Sequence, residues 1–155
     1  MRKRGRSFAR RVDPHAALHA IAMQHGLDTT QQNDLGVALR VSLEALRIGR
    51  GTEQEFHTLA AAVNVSLVLC ERNAGAEYMG HVKAAQDALL RLWERGKKTG
   101  RWVLDGPGYT AISGAVELHE AQLAAVPRSA AADAMREVKR RIERGNVFDT
   151  TEKAA

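Results

Sequence analysis

A chain of 155 residues, 45% of them hydrophobic, has the size of one domain and enough apolar material for one core. Only 5% of the residues are aromatic and only three are proline, so the composition favours packed helices over sheets. The single cysteine, Cys70, excludes an internal disulfide and a zinc site built from several cysteines.

The longest apolar run, from Leu59 to Cys70, has twelve residues and is interrupted by Asn64 and Ser66. It is well short of the roughly 20 residues that a helix needs to cross a bilayer. The basic N-terminus lacks a convincing cleavage site, so we expect no secretory signal. These features predict a soluble, cytoplasmic protein that does not associate with membranes, and we expect no cofactor and no metal.

The net charge of +5 is concentrated at the front of the chain. Residues 1–11 contain six basic residues and no acidic one, whereas the remaining residues hold 17 basic and 18 acidic side chains. We expect 1–11 to be a flexible basic tail, 12–148 a single α-helical domain and 149–155 a disordered tail. The six cations of the tail are Arg2, Lys3, Arg4, Arg6, Arg10 and Arg11.

The spacing of caps and apolar residues predicts an all-α fold of about six helices in one orthogonal or bundle-like domain. The first helix covers about 14–25, with a proline at its first position. Asp28 and Gln31 have the spacing of a capping box and open the second helix, which runs to about Ile48.

Thr52 and Glu55 form a second capping box and open the third helix. The second and third helices are apolar nearly all round, unlike the fourth, whose apolar residues form a one-sided stripe. We therefore expect the second and third helices to form the centre of the domain.

The last three helices are separated by glycine and proline. The fourth helix should end near Gly96, followed by a glycine-punctuated stretch to residue 108. The fifth should follow Pro107 and end at Pro127. The sixth should begin at Ser129, with its apolar side facing inward and Gly145 as its C-cap.

The segment 59–72 is similar to the helix-turn-helix signature of bacterial regulators, with Asn64 at the turn and Ser66 near the start of the second helix. A recognition helix presents polar side chains to base edges, yet residues 67–70 are all apolar. The pattern therefore favours one continuous buried helix, with a helix-turn-helix as the alternative.

A second excess of positive charge lies at 91–101, where five cations face one acidic residue, Glu94. Trp93 and Trp102 alternate with the cations, which suits stacking of unpaired bases beside phosphate contacts. The alternative is that the cations complement a helix C-terminus and that Trp93 covers the core. The candidate nucleic-acid-binding residues in this segment are Arg95, Lys97, Lys98 and Arg101.

Three polar residues would be the material for an enzyme site: Asp105, His119 and Glu120. They would need to meet in one concave pocket. Because the sequence shows no pairing of a nucleophile with a base, we expect a non-enzymatic protein.

Several stretches of the chain resemble small uncharacterised helical proteins from prophages and mobile elements of proteobacteria, some of them labelled Fis-like transcriptional regulators. The resemblance implies no specific activity and assigns no catalytic or binding residue. The stretches cover about half the chain and are 51–71, 84–91, 99–106, 119–123 and 140–148.

Together these features predict a non-enzymatic, nucleic-acid-associated or regulatory helical protein that uses its basic N-terminal arm. The alternative is a phage or mobile-element interaction module that binds a host protein through a helical face. A homodimer is expected if the fourth or sixth predicted helix leaves apolar surface exposed.

Overall fold

The computed structural model describes residues 26–145 and consists of consecutive helices joined by short loops. Within these residues there are five α-helices, a single 3-10 turn at Ala76–Tyr78 and no strand longer than an isolated bridge. The all-helical prediction is confirmed for this part of the chain. The helices are α1 (Thr29–Arg47), α2 (Glu53–Glu71), α3 (Met79–Thr99), α4 (Gly106–Ala125) and α5 (Arg128–Glu143).

The predicted starts of the second and third helices, α1 and α2, are confirmed by their hydrogen bonds. The Asp28 carboxylate accepts from the Gln31 amide at 2.9 Å, and the Thr52 amide donates to the Glu55 carboxylate at 2.6 Å. Both capping boxes are complete, so local side chains satisfy amides that would otherwise lack partners. The predicted start at Ser129 is wrong, because α5 begins at Arg128 with Pro127 at its N-cap position and has no side-chain cap. The helix predicted at 14–25 lies outside the described residues.

The helices pack as a bundle in which α2 and α4 are central. α2 contacts the other four helices, and α4 contacts α1, α2 and α3. Their inward side chains, among them Leu59, Val63, Ile112 and Val116, are almost completely buried. α5 packs on α2 through small residues, with Ala134 fully buried against it.

The prediction that the second predicted helix, α1, shares the centre is wrong. α1 buries one side through Leu39, Leu43 and Leu46, whereas Val37 and Val41 on the other side are mostly exposed. Its apolar residues suggested burial all round, but only α2 and α4 cover it extensively. The second central helix is α4 instead.

Two other predicted details differ in the structure. α3 passes Gly96 and ends at Thr99, with Gly100 in the left-handed conformation that commonly ends helices. Gly96 lies inside the helix, and the indole of Trp102 packs on it so closely that there is no room for a β-carbon. On α5, Met135 and Ile142 were expected to face inward, but both are exposed.

The segment similar to a helix-turn-helix is one continuous helix. α2 runs without a break through Asn64, and Val68 and Leu69 are buried. Ser66 donates a hydrogen bond to Gln122 Oε1 of α4 at 2.5 Å, and Asn64 Oδ1 accepts one from Gln86 of α3 at 3.0 Å. The polar residues of this segment therefore hold neighbouring helices together, and α2 has no recognition surface here.

Candidate nucleic-acid interface

Two loops meet at one end of the molecule, where the cations of 91–101 lie. The α1–α2 loop pairs with the α3–α4 loop through an isolated antiparallel bridge between Gly51 and Trp102. The Leu104 amide also donates to the Leu46 carbonyl at 3.0 Å. Because the C-terminus of α3 ends beside these loops, its basic residues have fixed neighbours.

Lys97 is engaged within the protein. Its Nζ atom lies 2.9 Å and 3.0 Å from the two carboxylate oxygens of Glu53, and 4.4 Å from the centroid of the Trp93 ring. The hydrogen bond from Lys97 is the main reason that the pKa of Glu53 is lowered. A phosphate would have to compete with this carboxylate, so Lys97 is the weakest of the four candidates at this end.

Arg95 is also partly neutralised. Its Nη1 atom lies 3.8 Å from Asp105 Oδ2, and its Nε atom is buried without a hydrogen-bond partner. The side chain therefore runs over the core and reaches the N-terminus of α4, where Asp105 caps the helix by accepting from the Gly108 amide at 2.7 Å. Arg95 is better placed to cover this junction than to reach a ligand.

Lys98, Arg101 and Arg91 remain available at this end. All three are exposed and, within the described residues, none has a carboxylate within 4.0 Å. Arg91 and Lys98 are seven residues apart and so share one face of α3, about 10 Å from each other, with Glu94 between them. We call Arg91, Lys98 and Arg101 the α3-end cations.

The tryptophans do not form a platform for bases. Trp102 is buried, and Trp93 packs within an aromatic cluster in which its ring centroid lies 5.1 Å from Phe56 and 5.8 Å from Trp102. Lys97 lies over the Trp93 ring. The indoles thus complete the core, as the alternative interpretation expected, and they offer no exposed ring face on which unpaired bases could stack.

Sequence reasoning missed the residues that neutralise the candidate cations. Glu53 is 44 positions from Lys97 in the chain, and Asp105 is a helix cap whose second contact is with Arg95. The local signal was the pair of acidic residues, Glu53 and Glu55, in the first turn of α2. It does not reveal which cation lies opposite.

The three residues that could have formed an enzyme site are not gathered. His119 and Glu120 line an α1–α4 cavity of about 510 Å³, whereas Asp105 caps the far end of α4. The Glu120 carboxylate is held by Arg40 through hydrogen bonds of 2.8 Å and 3.2 Å. Burial lowers the pKa of His119 to about 4, so its imidazole is neutral at pH 7.

Elsewhere in residues 26–145, no three His, Cys, Asp or Glu side chains lie close enough to hold a metal ion. None of the helices in this range combines the length and apolar character needed to cross a bilayer. Burial raises the pKa of the Cys70 thiol, whose Sγ donates to the Gly75 carbonyl at 3.1 Å, so this cysteine is a packed core residue.

The basic arm, residues 1–11, lies outside the described residues, and its six candidate cations have no structural description. The chain was also compared with known families, curated proteins and solved structures. No family model, curated protein or solved structure matches it.

Proposed function

We propose that the protein is a non-enzymatic nucleic-acid-associated protein that binds the phosphate backbone mainly through its arm at 1–11. The supporting observation is the separation of charge along the chain. Six cations lie in eleven residues without an acid, whereas residues 26–145 hold 16 basic and 15 acidic residues. A polyanion is therefore attracted mainly to the arm.

The described domain offers a smaller second contact through the α3-end cations. Of the four basic residues that the sequence predicts as contacts in this segment, Lys98 and Arg101 are exposed and have no carboxylate partner among residues 26–145, whereas Arg95 and Lys97 have acidic neighbours. With the tryptophans packed into the core, these cations act without base stacking, and we expect them to contact mainly phosphates. We expect binding with strong salt dependence and little sequence preference.

The test is a mobility-shift series across salt concentrations with the full chain and an arm variant. The variant replaces all six cations with glutamine (R2Q, K3Q, R4Q, R6Q, R10Q and R11Q), so that the length of the chain is kept. Its log–log salt slope should be shallower by about 5, because each phosphate contact contributes about 0.9. Equal affinity and slope for the two proteins would reject the proposal.

The second candidate function is a phage or mobile-element interaction module that binds a host protein through a helical face. It is favoured by α5, where Met135 and Ile142 are 55% and 54% exposed at a spacing of seven residues. A nuclease-treated pull-down should then recover one stoichiometric protein, and M135K/I142K should lose it. Recovery that depends on intact nucleic acid would favour the first proposal instead.

A further inference from the structure

An apolar stripe runs along the outer side of α1. Val37, Val41 and Ile48 are 60%, 63% and 48% exposed. At 100° per residue they project within about 40° of one another, opposite the side that carries Leu39 and Leu43. β-Branched residues are poor helix formers, so at exposed helical positions they are best accounted for by a packing role.

Three of the five charges beside this stripe are paired. Arg47 bonds Glu44 at 2.6 Å and 2.7 Å, and Arg40 bonds Glu120 of α4. Asp34 and Arg50 are exposed and, in the part of the chain that the structure describes, have no ion-pair partner within 4.0 Å. One unpaired acid therefore lies near the start of α1 and one unpaired base just beyond its end.

The stripe and the two unpaired charges are centred at nearly the same position in the sequence, although Arg50 lies beyond Gly49, which turns the chain at the end of α1. Val37 and Ile48 are centred between residues 42 and 43, and Asp34 and Arg50 are centred at residue 42. A two-fold axis at this level would pack Val37 against Ile48 of a second copy. It would also bring Asp34 near Arg50 of that copy.

From this coincidence we propose that α1 pairs antiparallel with α1 of a second copy, giving a two-fold symmetric homodimer. The antiparallel arrangement also places opposite ends of the two helix dipoles together. Ala38 and Ala45 beside the stripe permit close approach of the helix backbones. For a contact made by one helix from each copy, we expect a dissociation constant in the micromolar range.

The first test is sedimentation equilibrium of nuclease-treated protein without added nucleic acid, which makes the result independent of the proposed function. The full chain should change from monomer to dimer as its concentration rises to about 200 µM. V41K should stay monomeric with an unchanged helical circular-dichroism spectrum, because Val41 is exposed. The matched control M135K places the same charge on α5 and should dimerise normally.

The second test exchanges the charges. In the dimer, residue 34 of each copy lies near residue 50 of the other, so either D34K or R50E creates two pairs of like charges. Each variant should raise the dissociation constant about tenfold. The double variant D34K/R50E restores opposite charges and should return to within about threefold of the original value.

Two results would overturn the proposal: a full chain that stays monomeric at about 200 µM and a V41K chain that still dimerises. If V41K dimerises and M135K does not, the contact lies on α5. A failure of D34K/R50E to recover would reject the antiparallel register.

Discussion

His119 and Gln122 are polar side chains that α4 carries into the interior, and they are held in different ways. His119 is 6% exposed, and its Nδ1 atom has no hydrogen-bond partner. Gln122 donates to the Ala74 carbonyl at 2.7 Å and accepts from Ser66 at 2.5 Å. The interior therefore penalises protonation of His119 and depends on the amide of Gln122.

The free energy of unfolding should fall by about 2 kcal/mol between pH 7 and pH 5 because of His119. Its pKa is about 4 in the folded protein and 6.5 without burial, so the unfolded chain binds the extra proton as the pH falls through this window. Urea unfolding at both pH values measures the difference. H119L should reduce it, whereas H81Q, at an exposed position, should not; an unchanged pH dependence in H119L would contradict this prediction.

Replacing Gln122 with leucine should cost about 2–4 kcal/mol of stability. The leucine is close in size to glutamine but leaves the Ser66 hydroxyl and the Ala74 carbonyl without their partners. S66A should cost less, because Gln122 keeps its bond to Ala74. Urea denaturation of both variants tests the order, and a smaller loss for Q122L than for S66A would contradict the larger role assigned to the Gln122 amide.

At the scale of single elements, helix interiors contain glycines with opposite roles. A β-carbon added at Gly96 of α3 would lie 2.6 Å from the Trp102 ring, so this glycine allows the α3–α4 loop to close on the helix. A β-carbon at Gly114 of α4 would meet nothing within 4 Å. One glycine is required by packing, and the other carries only the entropic cost of glycine in a helix.

G96A should therefore destabilise the protein by about 1–3 kcal/mol, while G114A should stabilise it by about 0.5–1 kcal/mol. The ring of Trp102 is rigid and buried, so it must move as a unit. Thermal unfolding of both variants, followed by tryptophan fluorescence and circular dichroism, gives the comparison. A stabilised G96A protein would mean that Trp102 does not pack on α3.

At the scale of the whole molecule, positive charge lies in the arm, at the α3 end of the bundle and, in smaller number, at the opposite end. The α3-end cations lie beside the C-terminus of α3, whereas two other exposed cations, Arg72 and Lys83, lie at the opposite end, beside the C-terminus of α2 and the first turns of α3. Within the described residues, neither has a carboxylate within 4.0 Å. Arg72 and Lys83 therefore serve as a control that carries the same charge as Lys98 and Arg101 but lies at the other end of the bundle.

K98A/R101A should reduce the salt slope of nucleic-acid binding by about 2, and R72A/K83A should leave it nearly unchanged. Both variants lose two charges, so net charge cannot account for a difference between them. Mobility shifts across a salt series measure both slopes. Equal reductions would mean that the bundle attracts nucleic acid by overall charge and has no preferred end.

Much of the fold was predictable because its signals are local. The capping boxes at Asp28 and Thr52 lie within four residues of the helices that they start, and the apolar run at 59–70 indicates a buried helix by composition. The sequence likewise shows where positive charge is concentrated. These properties depend on neighbours in the chain, so they are visible before any helix is packed.

The candidate site was only partly predictable, because it depends on contacts between distant residues. Only the tertiary structure decided that Glu53 neutralises Lys97, that Trp102 is buried on Gly96 and that α4 is central in place of α1. A helix that is apolar on all sides can lie at the centre of the domain or can leave one apolar side exposed to solvent. The sequence of the helix does not distinguish the two placements. What separates the two is which other helices cover it, and that is settled by packing.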